Sequence, residues 1–186
     1  LLILLSQSGE TKDLHRCIEI ANSYDAITLG VVNVPDSLIA RECDCGVYLN
    51  AGREFAVAST KSFTSQCIVL SLISIWFSQN KDTHLKMRIQ KIQDLQKLHF
   101  QFNELIENSK NKFSNILYKF TTKKSLFLLG KGQNEAIARE GSLKIKEVSY
   151  IHAEGYSASA LKHGPFALIE KDLPIIILDT EEKHRD

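Results

Sequence analysis

The chain alternates short, unbroken apolar runs with stretches whose apolar residues recur every three or four positions. Leu1 to Leu5 is apolar throughout and ends in the turn Ser6-Gln-Ser-Gly9. That pattern predicts a strand covered on both faces in a parallel sheet, then a helix over 12–24. Ile27 to Val34 is a β-branched run closed by Pro35-Asp36, and Gly46 to Leu49 is a shorter one; both predict strands. Ser59 to Gln79 carries a helical pattern. Its apolar core, Cys67 to Phe77, is far shorter than the ~20 residues that span a bilayer and is interrupted by Ser71 and Ser74, so it predicts a buried helix and no membrane association.

From Lys81 to about Phe120 the chain turns charged and Gln-rich, with Ile89, Ile92, Leu95, Leu98, Phe102, Leu105 and Ile106 at helical intervals. This predicts an amphipathic connector and packing layer whose charges form a solvated face. Ser125 to Leu129 then predicts a strand, Gly130-Lys131-Gly132 a tight turn, and Asn134 to Ser149 a helix. A helical piece near Pro165 to Ile169 precedes a last strand, Leu173 to Leu178. The opening pattern has begun again. Strands alternating with helices give an α/β class, organised as one unit over 1–80, a helical connector over 81–122 and a second unit over 123–186.

Composition changes this picture little. The 186 residues are 44% hydrophobic, and the formal net charge is +1, so the overall field offers no attraction to nucleic acid or to an acidic membrane. An anion would have to be bound locally. Cys17, Cys43, Cys45 and Cys67 have neither C-x-x-C spacing nor the density of a secreted disulfide framework, and read as reduced packing residues of an intracellular chain. The first residue is a leucine inside an expected strand, which points to a cut through a longer protein and not to a signal peptide.

The first candidate chemistry lies where the first helix starts. Helix starts carry amides without intrahelical partners and about half a positive charge. Ser6, Ser8 and Thr11 add hydroxyl donors there, and Gly9 permits close approach of the main chain. No Gly-Lys-Ser/Thr follows, so the turn is not a nucleotide P-loop and suits a phosphate monoester. The competing reading is a helix cap by Ser8 or Thr11. Val57-Ala-Ser-Thr-Lys61 repeats the arrangement after Asn50-Ala-Gly52, and again caps and contacts to a ligand are both open.

The second candidate is on the helix from Asn134. Ile137, Ala138, Gly141, Ile145 and Val148 fall on one side, the expected buried stripe, while Glu140, Lys144 and Glu147 share an adjacent face. Alone this is a salt-bridge ladder. Lys162-His163-Gly164-Pro165 holds a histidine just before a helical turn. A histidine with a carboxylate base suits the opening of a sugar ring and proton movement between adjacent carbons, as in aldose–ketose isomerisation; a lone His beside Gly-Pro is also an ordinary turn residue.

Three long motifs, Ser6-Gln-Ser-Gly-Glu-Thr11, Val57-Ala-Ser-Thr-Lys-Ser-Phe-Thr-Ser-Gln66, and Glu140-Gly-Ser-Leu-Lys-Ile-Lys-Glu147 through Tyr150-Ile-His-Ala-Glu154 to Leu161-Lys-His-Gly-Pro165, resemble the isomerase part of the glucosamine-6-phosphate synthases, or glutamine–fructose-6-phosphate aminotransferases. The resemblance covers nearly the whole chain. It implies two doubly wound parallel-sheet sugar isomerase (SIS) units joined by a long helical segment, both incomplete in this chain. The implied reaction joins fructose 6-phosphate and ammonia into glucosamine 6-phosphate, the first step towards UDP-N-acetylglucosamine, in the cytoplasm and without metal or cofactor. Positions matching Ser6, Gln7, Ser8 and Thr11 hold the sugar phosphate in that family, and those of Val57 and Ser59 line the sugar. That of Glu147 moves the proton, that of Lys144 lies beside it, and that of His163 assists ring opening from the neighbouring subunit of a homodimer.

The chain departs from the family at Ser159-Ala160, where Gly-Glu usually precedes Leu-Lys-His-Gly-Pro. It also shows no glutaminase domain, first strand or C-terminal tail, so these residues are not expected to release ammonia from glutamine. Two other readings remain: a sugar-phosphate-binding SIS module without catalysis, and an inactive truncated relative.

Overall fold

The computed structural model describes residues 1–80 and 84–180; residues 81–83 of the expected connector and 181–186 of the expected second unit lie outside the described residues. The chain divides into two units, Leu1–Phe100 and Gln101–Asp186.

In the first unit, strands β1 (Leu2–Ser6), β2 (Thr28–Val32) and β3 (Cys45–Tyr48) form a parallel sheet in that order. Leu4 stands opposite Gly30, and Val31 opposite Val47. Helix α1 (Lys12–Ser23) places Leu14, Cys17 and Ile18 on one stripe, and α2 (Leu38–Glu42) adds Ile39; these pack on Leu2, Leu4 and Val32. Each fully buried side chain such as Ile18 or Ile39 contributes about 1.5–3 kcal/mol. Helix α3 (Lys61–Gln79) sets Val69 and Ile73 against Leu29, Val31 and Leu49 on the opposite face. The start of β2 is locked to that of β3 by Asp44, whose Oδ2 accepts from the Thr28 amide and hydroxyl, both at 2.8 Å. Those bonds hold the Asp44 carboxyl below the usual range.

In the second unit, β4 (Ser125–Gly130) is flanked by β5 (His152–Ser157) and β6 (Ile175–Leu178), all parallel. Helix α4 (Leu85–Ser114) runs through the point of division, and α5 (Gln133–Ser149) covers β4 and β5 through Ala138 and Ile145, packed with Leu126, Leu128 and Ala153. A β-carbon on Gly155 would lie 2.5 Å from Cα and 2.6 Å from N of Arg139, so helix and strand touch backbone to side there. Gly155→Ala is expected to cost about 1–3 kcal/mol by overpacking, read as a melting temperature lower by about 2–4 °C per kcal/mol.

Several expectations about burial are corrected. Only β2 is buried along its whole length; in β1, Ile3 and Leu5 are exposed, because α3 reaches β2 and leaves the same face of the edge strand open. Leu72, Trp76 and Phe77 are exposed, so Cys67 to Phe77 is not a buried helix: one stripe of an evenly apolar helix meets the sheet. Along α4 the stripe residues Ile89, Phe102, Leu105 and Ile106 are exposed as well. On α5 the inner line is Ala138, Ser142 and Ile145, while Ile137 and Val148 face outwards. Cys17 and Cys43 pack on the core, but Cys45 and Cys67 are exposed. Among the α-helices and strands described, α2 and β5 have no counterpart in the sequence expectation.

Candidate functional site

The turn between β1 and α1 is a tight knot of hydroxyls. Ser6 is 5% exposed; its Oγ lies 3.0 Å from Thr11 Oγ1 and accepts the Gly9 amide at 2.9 Å. Ser8 Oγ accepts the Glu10 amide at 3.2 Å. Gly9 has φ +69, and a β-carbon there would fall 1.9 Å from Ser37 Oγ, so no other residue fits without displacing the α2 start. Thr11 stands at the N-cap of α1 yet makes no side-chain cap bond. The Leu14 amide turns back to the Thr11 carbonyl at 3.1 Å, and among the described residues no side chain caps the amides of Lys12 and Asp13, which keep their polarity for another acceptor. Gln7 is half-buried and Ser8 and Thr11 are exposed.

This turn is tied to its neighbour. Glu10 Oε1 accepts the Leu38 amide at 2.9 Å, and the Gly9 carbonyl accepts the Ile39 amide at 2.9 Å. Glu10 thus takes over the cap of α2 from Ser37, which is the N-cap residue but whose buried Oγ has no hydrogen-bond partner.

The second hydroxyl cluster is built differently. Glu54 Oε1 accepts from the Thr60 amide at 3.1 Å, the Ser62 amide at 2.9 Å and the Ser62 hydroxyl at 2.7 Å. The start of α3 is closed by a carboxylate from its own loop, and these bonds, led by the Ser62 amide, hold the Glu54 carboxyl below the usual range. Val57 is 92% exposed and Ser59 is half-buried.

On α5 the 100° turn per residue brings Glu140, Lys144 and Glu147 into line. Lys144 Nζ donates to Glu147 Oε2 at 2.9 Å and lies 3.5 Å from Glu140 Oε1, with all three side chains at 22–28% exposure. Burial opposes the charge of Lys144, but the bond to Glu147 and the two carboxylate charges outweigh it, so its pKa stands above the ordinary lysine value. Lys144 is an ammonium at neutral pH, and its contribution to stability is lost only as pH rises through that elevated value. Helix α5 ends at Tyr150, in the left-handed region.

His163 is exposed on a turn between two short 3-10 helices, Ala160–Lys162 and Pro165–Leu168, and its amide donates to Ala160 O at 3.0 Å. At the family departure, Ser159 is the residue that opens the first 3-10 turn, and its hydroxyl lies 2.9 Å from that of Ser157. No hydrogen bond or ion pair joins His163 to Glu147 among the described residues.

The sequence profile of the SIS domain matches residues 1–75 and 119–186. The chain belongs to the SIS-domain family. It is 47% identical over 184 residues to the "Probable glutamine--fructose-6-phosphate aminotransferase [isomerizing]" of Acanthamoeba polyphaga mimivirus, covering 99% of the chain and 30% of that relative. It is 41% identical over 174 residues to glutamine–fructose-6-phosphate aminotransferase [isomerizing] 2 of Homo sapiens, covering 94% of the chain and 25% of that relative. In fold it is similar to the C-terminal domain of glucosamine-fructose-6-phosphate aminotransferase from Francisella tularensis, with TM-score 0.91 and 33% identity over 97% of the chain and 51% of that structure. The SIS chain thus spans about 30% of the length of the first of these relatives.

Within the SIS sequence, Ser6, Gln7, Ser8 and Thr11 lie together on one turn, and Val57 and Ser59 on another loop of the same unit. Lys144 and Glu147 are in contact in the second unit, where His163 lies on a separate turn. Sequence reasoning gave no role to Glu10 or Glu54. Their signal was present: each acidic residue lies a few positions from a hydroxyl-rich helix start, but only the fold shows which helix it caps.

Proposed function

We propose that this SIS chain is the sugar-isomerising part of a glutamine–fructose-6-phosphate aminotransferase. The observation that carries the reading is the start of α1, where the N-cap hydroxyl of Thr11 turns to Ser6 and leaves the Lys12 and Asp13 amides without a side-chain cap. Ser6, Gln7, Ser8 and Thr11 bind the phosphate of fructose 6-phosphate there, while Val57 and Ser59 line its sugar. His163, exposed on its turn, assists ring opening from the partner subunit of a homodimer.

Glu147 is the base. Ammonia adds to the C2 carbonyl of the open-chain ketose and water leaves, giving a C2 imine. The Glu147 carboxylate removes a proton from C1, the C–H pair becomes a C1–C2 double bond, and the imine nitrogen gains a proton. Return of the proton from Glu147 to C2, with loss of the C1 hydroxyl proton, leaves an aldehyde at C1 and an amine at C2. The product is glucosamine 6-phosphate, and Lys144 keeps the Glu147 carboxylate oriented by its hydrogen bond. Ammonia comes from a glutaminase domain in the longer protein, which acts in the cytoplasm.

The test is to incubate the intact protein with fructose 6-phosphate in heavy water and to follow deuterium at C1 by NMR. Exchange at C1 is expected with ammonia through the C2 imine, and without it through the enediol that forms when Glu147 takes the C1 proton and the C2 carbonyl oxygen gains one. Binding without exchange would favour the non-catalytic sugar-phosphate module, and the absence of both would end the reading.

A further inference from the structure

The loop between β3 and α3 has no regular structure from Leu49 to Thr60, and it carries Val57 and Ser59. Ordering such a segment costs backbone conformational entropy, so something must hold it. Two side chains outside the family motifs noted in the sequence do so. Asn33, one residue past β2 and 8% exposed, donates from Nδ2 to the Gly52 carbonyl at 2.8 Å and accepts the Ala51 amide on Oδ1 at 2.9 Å. Its amide copies a strand's backbone and extends the pairing that ends with the Leu49 amide on the Val32 carbonyl at 2.9 Å. Glu54 bonds the Thr60 and Ser62 amides and the Ser62 hydroxyl, and Ser62 is fully buried. The five residues between Glu54 and Thr60 form a loop closed at its neck by one carboxylate, with Asn33 fixing the strand side.

We infer that Asn33 and Glu54 are positioning residues, which hold the segment carrying Val57 and Ser59 in place for the sugar and fill the start of α3 with an internal carboxylate. The inference rests on the proposed sugar-phosphate site. Its chemistry is specific. Asn33 must both donate and accept, so Asp cannot replace it. Glu54 serves three donors through one oxygen, which Gln can partly reproduce and Ala cannot. Because the α3 start already holds a negative charge, a phosphate is disfavoured there and has its place at the α1 start, leaving the second loop to read the sugar.

Two probes separate these roles in the intact protein: inorganic phosphate, which needs only the α1 turn, and fructose 6-phosphate, which needs both loops. Affinities are measured well below the melting temperature of each variant. Glu54→Ala and Asn33→Asp are expected to weaken fructose 6-phosphate about tenfold, equivalent to 1.4 kcal/mol, with inorganic phosphate unchanged, and Glu54→Gln is expected to restore most of the loss. A parallel fall for both probes, or no change in either, overturns the positioning role while the sugar-phosphate reading stands. If the parent protein binds neither probe, that reading fails and the inference falls with it.

Discussion

Glu147→Gln is expected to reduce deuterium exchange at C1 of fructose 6-phosphate by about 10²–10⁴-fold, the usual worth of a positioned acid–base group. Fructose 6-phosphate affinity should change little. The substitution keeps the shape of the side chain and an oxygen that can accept from Lys144, now 2.9 Å from the carboxylate. Folding should hardly notice it: Lys144 retains Glu140 at 3.5 Å, and a half-exposed helical pair is worth a few tenths of a kcal/mol. A simple salt-bridge ladder predicts the same small change in melting temperature but an intact rate. The exchange rate, measured on a variant whose melting temperature shows it folded, therefore decides whether the carboxylate is chemical or structural.

The second large effect belongs to the hydroxyl turn. Ser6→Ala combined with Thr11→Val should weaken fructose 6-phosphate by about 3–6 kcal/mol, from two hydrogen bonds to a charged group at ~1.5–3 kcal/mol each. The two positions differ in their effect on folding. Thr11 makes no cap bond but shares a hydrogen bond with Ser6, so Thr11→Val alone should cost about 0.5–1.5 kcal/mol. Ser6 accepts the buried Gly9 amide, so Ser6→Ala should destabilise by about 1–3 kcal/mol through an unsatisfied donor. Titration calorimetry with the ester and thermal melts of each single variant test both halves. Should the double variant bind the ester as tightly as the parent protein, the α1 start is not the phosphate site.

The carboxylates in this fold do three kinds of work. Asp44 and Glu54 are held ionised by backbone and hydroxyl donors, and a group with a depressed folded pKa stabilises above its unfolded value and loses that contribution as pH falls through the folded one. Glu10 and Glu54 hold loops by capping a neighbouring helix. Glu147 bonds the Lys144 ammonium on its own helix at 2.9 Å and stands half-buried on an element fixed to the sheet, which suits a group that must hold a proton for one step and return it.

The order of strands and helices other than α2 and β5, the hydroxyls at the α1 start and the line Glu140, Lys144, Glu147 came from sequence alone. They depend on local rules: apolar runs make strands, 3.6-residue spacing makes helices, and residues three and four apart on a helix are neighbours. What covers an apolar face is not local, which is why Ile3, Trp76, Phe102 and Val148 are exposed against expectation. Nor could the pattern show β5, whose His152, Glu154 and Gly155 lack strand character and which exists because its backbone pairs with β4 along six residues. Only the tertiary structure decided that Thr11 bonds Ser6 and not its own helix, and that Glu10, Asn33 and Glu54 reach across 28, 19 and 8 positions to fix two loops. The bonds of Glu10 and Asn33 join segments that only the pairing of β1, β2 and β3 brings side by side.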